Sequence, residues 1–426
     1  MCAVSVEWGR EADLPVAVAR ARIAAALSPL QACERVGLAS ALCRVLAEDV
    51  VSPIDVPAHD NSAMDGYAFH GADLHPEAPT VLRPLGVTVL AGQPYTGTVA
   101  RGQCVRIMTG AVMPPGLDTV VPIEHCQCSA ETVTVIPGTL RPGDNRRRRG
   151  EDLAQGQPAI RAGRVLRPAD IGLIASLGVA DVNVRRRLRV AVFSTGSELR
   201  APGEPLAPGC IYDSNRYTLM GALTRLGFDV IDLGLVADDR AVLDATLQAA
   251  IAQADVVLTS GGVSVGDADH TRELLAARGQ VEFWKVAMRP GRPFAFGTLR
   301  AEQPDGSPRP VALFALPGNP VATLVAFYVL VREALLTLAG AQPQPLPALR
   351  ARSVTPIRKR PGRSEFQRGI VSVAPDGGWH VHLTGSQSSG VLRSMCEANA
   401  LVALDHEQGS VAAGDDVSVW LFDGLV

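Results

Sequence analysis

The sequence predicts a multidomain protein of mixed α/β and β class, with a central α/β domain, a small β-rich module before it and a small C-terminal β domain. Three observations predict it. Strand-like and helix-like patterns alternate from Leu188 to about residue 340, which marks a largely parallel sheet with helices on both faces. The 41 Gly and 31 Pro punctuate many short β runs on either side of that stretch. At 426 residues the chain is long enough for about two to four domains.

Taken in order, residues 12–50 read as helical, because Ala17, Ala21, Ile23, Ala24, Leu27, Leu38, Leu42 and Leu46 recur at helical spacing. Residues 51–152 change character. Short β runs at 87–90, 104–108, 119–123 and 132–136 are separated by Gly/Pro turns, and the segment ends in Arg146 to Arg149. Residues 153–185 mix short strands with a helix around Pro168–Leu177.

The α/β domain spans 186–340. Strands are expected at 189–194, 228–233, 255–260, 281–285, 294–297 and 311–316. Asp213, Ser214 and Asn215 offer caps for a helix to Leu226, with Gly227 just past its end. Asp238-Asp239 opens a helix to about Gln253, and Asp269 starts another. The uncharged stretch Pro310 to Val331 is long enough to suggest a membrane span. Pro317-Gly318-Asn319-Pro320 divides it into a buried strand and a buried helix (320–338) instead. A Pro-rich linker at 342–347 leads to the C-terminal domain, 346–426, with β runs at 364–374, 380–383, 400–404 and 416–422.

The net charge of −3 gives no global attraction to nucleic acid or anionic membranes, so an anionic ligand must be held by local charges and amides. Glu7, Arg10 and Glu11 interrupt any secretory signal. The eight cysteines are scattered without a C-x-x-C pair, which suits free thiols in a reducing cytoplasm. Cys126 and Cys128 share one face of a strand, and no second cluster completes a zinc site.

Ligands of open parallel sheets bind beyond the carboxyl ends of the strands. Four segments fall there: Ser194-Thr195-Gly196-Ser197-Glu198, Asp238-Asp239, Ser260-Gly261-Gly262-Val263-Ser264 running on to Asp269, and Pro317-Gly318-Asn319-Pro320. Consecutive glycines let amides face an anion, and Pro320 suits the first position of a helix whose positive end meets the cleft. No Gly-Lys-Ser/Thr follows the glycines, which argues against a P-loop. Lys285, Arg289 and Arg292 lie in one Gly/Pro loop suited to an oxyanion. Glu198, Asp238 and Asp269 suit Mg²⁺ shared with substrate phosphates. The residues alone therefore imply a phosphorylated, nucleotide-like ligand with Mg²⁺.

Nine motifs now occur in order: D-N-S-A-M-D-G-Y-A (60–68), A-G-Q-P-Y (91–95), R-I-M-T-G-A (106–111), R-R-R-G-E-D (147–152), S-T-G-S-E-L (194–199), I-Y-D-S-N (211–215), S-G-G-V-S-V-G (260–266), R-P-G-R-P-F-A-F-G (289–297) and L-P-G-N-P (316–320). Together they resemble the MoeA / gephyrin E-domain family of molybdopterin molybdenumtransferases, from about residue 15 to the C terminus.

The resemblance implies a discontinuous domain of 12–50 plus 153–185 interrupted by an inserted β-rich domain at 51–152, a central molybdopterin-binding-type fold, a C-terminal β-barrel, and a homodimer whose cleft lies between the α/β domain of one subunit and the inserted domain of the other. It implies insertion of molybdenum from molybdate into adenylylated molybdopterin, with Mg²⁺ required and AMP released. Carried over by motif, Asp65, Thr109 and Asp152 would face the cleft from the inserted domain. Glu198, Asp238 and Asp269 would handle Mg²⁺ and nucleotide. Ser194, Thr195, Gly196, Ser260, Gly261, Gly262, Ser264 and Pro317 to Pro320 would contact the pterin nucleotide. Lys285, Arg289, Arg368 and Ser389 would bind molybdate. Implied partners are other enzymes of the same pathway and apo-molybdoenzymes, with no nucleic acid and no membrane. Two alternatives accompany this: adenylylation of molybdopterin, and a non-catalytic dimeric scaffold. The family often has Lys where Arg289 and Arg292 stand, and often an aromatic where His59 stands. Arg is a planar fork and Lys a point charge, so oxyanion affinity would differ.

Overall fold

The computed structural model describes residues 13–262, 274–275, 277–302, 306–342 and 348–424. The first helix covers Val16–Ala26 and buries only Ala19 and Ile23. The expected helical run to residue 50 stops there. Cys33–Gly37 is instead a strand, paired antiparallel with Asp181–Arg185, and Leu38–Ser40 is a single tight turn of helix. Pro29 cannot continue a helix, and Val36 gains a sheet partner in Val182. Leu38, Leu42 and Leu46 follow this break, so their helical spacing is accidental. Leu46, Val50, Ile160, Leu166, Ile174, Leu177, Val182 and Val184 bury one another in a common core. The chain on both sides of the inserted domain thus builds one core around the helix Pro168–Ser176.

The inserted domain is a six-stranded sheet in the order Thr119–Pro122, Gly66–Phe69, Gln103–Ile107, Thr80–Val89, Val133–Val135, Cys126–Cys128. Gly66–Phe69 lies outside the expected β runs. Gly66 is needed there, since a Cβ would lie 1.9 Å from the Val121 carbonyl oxygen on the neighbouring strand.

The α/β sheet runs Asp229–Val236, Arg189–Thr195, Val256–Ser260, Pro308–Leu316, Pro293–Glu302, Gly279–Lys285. The first four strands are mutually parallel, and antiparallel pairings bring in the last two. Register aligns Ser194 with Ser260 and Ser260 with Leu316, so these strands end at one edge. Helices Asn215–Arg225 and Pro320–Leu338 pack against one face and Arg240–Gln253 against the other. The helix expected from Asp269 begins outside the described residues.

Pro320–Leu338 is long and apolar enough to span a bilayer, but most of it is buried as the core helix of this domain. Its middle, Phe327–Val331, is a wider π-type turn. Such a turn breaks the regular hydrogen-bond ladder. Here the Val329 carbonyl accepts Arg20 Nε at 2.7 Å, and the Arg20 guanidinium stacks 5.8 Å from the Trp420 ring centre. One side chain therefore ties the first helix, the core helix and the C-terminal domain together.

In the C-terminal domain, Ala348–Ser353, Ser364–Val373, Trp379–Leu383, Ala400–Leu404 and Asp416–Leu421 close into a five-stranded barrel. The α/β domain adds a short sixth strand. Met288–Arg289 pairs in parallel with Ser364–Glu365, placing the cationic loop on the barrel wall.

Candidate active site

The loops at the carboxyl edge of the sheet are bound to one another. Asp239 caps the Arg240–Gln253 helix, its Oδ1 accepting the amides of Ala241 (2.9 Å) and Val242 (3.0 Å). Asp238 turns to the neighbouring loop. Its Oδ1 accepts the Thr195 hydroxyl at 2.6 Å and its Oδ2 the Ser197 amide at 3.0 Å. These bonds fix the backbone of Thr195-Gly196-Ser197, and the exposed Glu198 carboxylate folds back over Gly196. Gly261 has φ +94°, and a Cβ there would lie 2.3 Å from the Thr195 carbonyl oxygen. Glycine lets these two loops touch.

A second set of bonds lies deeper. Asn215 Nδ2 donates to Ser260 Oγ at 2.7 Å and to the Gly318 carbonyl at 2.7 Å. The Thr323 hydroxyl donates to the Pro317 carbonyl at 2.6 Å. Ser194 Oγ donates to the buried Asp213 at 3.0 Å, and Asp213 in turn holds Arg216 Nε at 2.9 Å. Ser194, Thr195 and Ser260 thus sit at the expected edge, with their hydroxyls engaged in shaping it. Two burdens were missed by reading the sequence: Asp213 and Asn215 lie in I-Y-D-S-N but read only as helix caps. Ser264 and Asp269 lie outside the described residues, as does most of the loop after Gly262.

The cationic loop and the barrel form a seam. A cavity of about 240 Å³ opens there, lined by Arg289, Pro290, Arg358, Arg368, Glu365 and Gln367 among others. Arg368 is 1% exposed. Its Nε donates to Ser394 Oγ at 3.0 Å and its Nη2 to the carbonyls of Ser388 (3.0 Å) and Ser386 (3.2 Å). Its Nη1 has no partner among the described residues. Burial, with the Arg289 charge adding to it, pulls this guanidinium down to about 10, so it remains a cation at neutral pH. Ser389 contributes through its backbone, its carbonyl accepting the Val321 amide at 3.0 Å. Lys285 closes the Gly279–Lys285 strand beside this loop. Arg292, expected among the oxyanion cations, is instead held by Asp13 through Nε and Nη2, each at 2.8 Å. A bidentate carboxylate satisfies its fork and cancels its charge.

In the inserted domain, one carboxylate oxygen of Asp65 accepts both the amide and the hydroxyl of Thr109, each at 2.7 Å. The Thr109 amide, then its hydroxyl, hold this carboxyl below its ordinary range. Asp152 is exposed two residues past Gly150, its amide bonded to the Val56 carbonyl at 3.1 Å. Among the described residues, no hydrogen bond or ion pair within the chain links Asp65, Thr109 or Asp152 to Glu198 or Asp238.

The sequence implies Mg²⁺. That ion typically takes one or two protein carboxylates and completes its shell with water and phosphate oxygens. The donors fit this. The Glu198 carboxylate makes no hydrogen bond or ion pair among the described residues, and each Asp238 oxygen accepts a single neutral donor. Among the described residues no group of three or more His, Cys, Asp or Glu forms a cage. The set suits a metal that arrives with a phosphorylated ligand.

Comparison with known proteins accounts for the order of domains. The MoeA N-terminal region (domain I and II) matches residues 14–178, a probable molybdopterin binding domain matches 191–337, and the MoeA C-terminal region (domain IV) matches 350–422. The molybdopterin molybdenumtransferase of Haemophilus influenzae is 41% identical over 394 residues, covering 92% of this chain and 95% of that protein. The chain belongs to the MoeA family of molybdopterin molybdenumtransferases. Molybdopterin molybdenumtransferase 2 of Mycobacterium tuberculosis (strain H37Rv) is 37% identical over 402 residues, covering 92% of this chain and 96% of that one. The crystal structure of the molybdopterin biosynthesis moeA protein from Pyrococcus horikoshii OT3 superposes with a TM-score of 0.81 at 27% identity, covering 96% of this chain and all of that one. As a MoeA-family chain it is a transferase of molybdenum cofactor biosynthesis, and its multidomain fold is the one the motifs implied.

Proposed function

We propose that this enzyme inserts molybdenum from molybdate into adenylylated molybdopterin, releasing AMP and forming molybdenum cofactor. The observation that carries the reading is the cavity at the seam. A buried arginine with one unpartnered nitrogen shares it with Arg289. That arginine donates to the Ser388 carbonyl, and the next carbonyl, of Ser389, accepts the Val321 amide just past Pro317-Gly318-Asn319-Pro320, so one barrel loop links the proposed oxyanion site to the proposed pterin-side wall.

The chain's residues divide the work. Asn215 and Thr323 fix the Pro317–Asn319 turn, giving the pterin a rigid wall. Arg289 and Arg368 concentrate the molybdate dianion beside the pterin sulfurs, a gain from positioning. Asp238 keeps the Thr195–Ser197 amides in place for the nucleotide phosphates. Glu198 and Asp238, with Asp269, would hold Mg²⁺, which neutralises pyrophosphate charge and polarises the scissile phosphorus–oxygen bond. Among the described residues no hydrogen bond or ion pair joins Asp65 or Thr109 to Glu198; a homodimer, in which the inserted domain of a second copy closes the cleft, would bring them to it.

The test is AMP release by purified protein from adenylylated molybdopterin and Mg²⁺, with and without molybdate. Release stimulated by molybdate supports the reading. Release indifferent to molybdate sinks it, and AMP transfer from ATP to free molybdopterin would favour the adenylylation alternative.

A further inference from the structure

We propose that Arg358 is a third oxyanion-binding residue of the seam cavity, acting with Arg289 and Arg368. The inference rests on the molybdate reading above and extends it to a residue outside the expected set of Lys285, Arg289, Arg368 and Ser389.

Arg358 lines the cavity from the barrel segment that precedes the Ser364–Val373 strand, together with the α/β-derived Arg289. Neither Arg358 nor Arg289 makes a side-chain hydrogen bond or ion pair among the described residues. Both guanidinium groups are therefore available, unlike Arg292, which Asp13 occupies. Lys359, next in sequence, points the other way. It is buried and its Nζ donates to the Gln408 carbonyl at 2.6 Å. Alternation along an extended segment turns Arg358 and Lys359 to opposite sides.

Charge supports the assignment. Glu365 is the carboxylate of the lining, and it is already bound by Arg363 (3.1 Å) and by Gln367 (3.0 Å). Because Arg363 already neutralises that carboxylate, the three arginines of the lining stand as an uncompensated positive cluster, which suits a multiply charged oxyanion. Like charges crowded around a small cavity repel, as the influence of Arg289 on Arg368 already shows, and a bound dianion relieves that repulsion. Planar guanidinium forks also suit oxyanion oxygens in pairs.

The experiment compares Arg358→Ala, Arg358→Lys and Arg289→Ala in the full-length enzyme, reading KM for molybdate and KM for adenylylated molybdopterin separately. Both positions are exposed, so the fold is retained, and thermal melting confirms it. The expected result is a molybdate KM raised at least tenfold by Arg358→Ala, with the KM for adenylylated molybdopterin changed less than twofold. Arg358→Lys should recover part of the loss. A molybdate KM unchanged in Arg358→Ala but raised in Arg289→Ala overturns the role of Arg358 alone. Unchanged values in both overturn the seam cavity as the molybdate site. Equal rises for both substrates would mean a structural role for Arg358 and likewise overturn the proposal.

Discussion

The carbonyl of Ser389 accepts the amide of Val321 at 3.0 Å. This bond joins a barrel loop to the first turn of the core helix, just after Pro317-Gly318-Asn319-Pro320. The first amides of a helix lack partners within it, and here another domain supplies one. The same barrel loop offers the carbonyls of Ser386 and Ser388 to Arg368. The barrel is thus fastened to the sheet edge at the point where the proposed anion site meets the proposed pterin wall.

The two arginines of the cationic loop should behave differently. Arg292→Ala removes the Asp13 pair, which is more than half exposed on the arginine side. Exposed pairs contribute roughly 0–1 kcal/mol, so stability should fall slightly and the molybdate KM should stay within twofold. Arg289→Ala should raise that KM with little effect on melting. Steady-state kinetics on both variants checks this.

Asp238 should matter through the loop it holds. Thr195→Val keeps the shape of the side chain and removes one of the two donors. Because hydrogen bonds to charged groups are worth about 1.5–3 kcal/mol, less where solvent competes, kcat/KM should drop about tenfold with a small change in melting temperature. Asp238→Ala should cost more, since it frees both Thr195 and Ser197. Kinetics alongside thermal denaturation separates loop disorder from unfolding.

Gly261→Ala should be strongly destabilising. It places a Cβ against the Thr195 carbonyl at a φ of +94°. Strain of this kind costs on the order of 1–3 kcal/mol, and the clash adds to it. Chemical denaturation should show a lower midpoint with an unchanged slope.

The Asp65–Thr109 pair gives a pH prediction. The carboxyl is held below its ordinary value chiefly by the Thr109 amide. Its stabilising contribution is therefore complete above the unfolded pKa of about 3.9 and is lost as pH falls through the lower folded value. Thr109→Val removes the hydroxyl and keeps the amide, so the Asp65 pKa should move part of the way back up. A carboxyl titration by NMR reads this directly.

Much of the α/β domain was legible because its strands are continuous apolar runs between Gly, Asp and Pro signals, and the observed edges differ mostly by a few residues. Residues 27–50 were not legible. Leu38, Leu42 and Leu46 keep helical spacing, yet Cys33–Gly37 pairs with a strand about 150 residues away, a contact that local periodicity does not encode. The motifs led to loops that share one sheet edge, but not to which side chain does what there. Asp238 and Asp239 are adjacent in sequence. Only the structure separates the one that caps a helix from the one that holds a loop. Arg292 and Arg289 read alike until Asp13 is placed beside one of them. Arg358 carried no motif, because its role depends on the cationic loop joining the barrel as a sixth strand.

The most direct test of the seam as an oxyanion site is an anomalous difference map from crystals soaked in tungstate, a heavier isostere of molybdate. The account predicts a strong peak within hydrogen-bond reach of the Arg289 and Arg368 guanidinium groups. A peak confined to the Glu198 and Asp238 edge, or no peak in the seam at saturating tungstate, would contradict it.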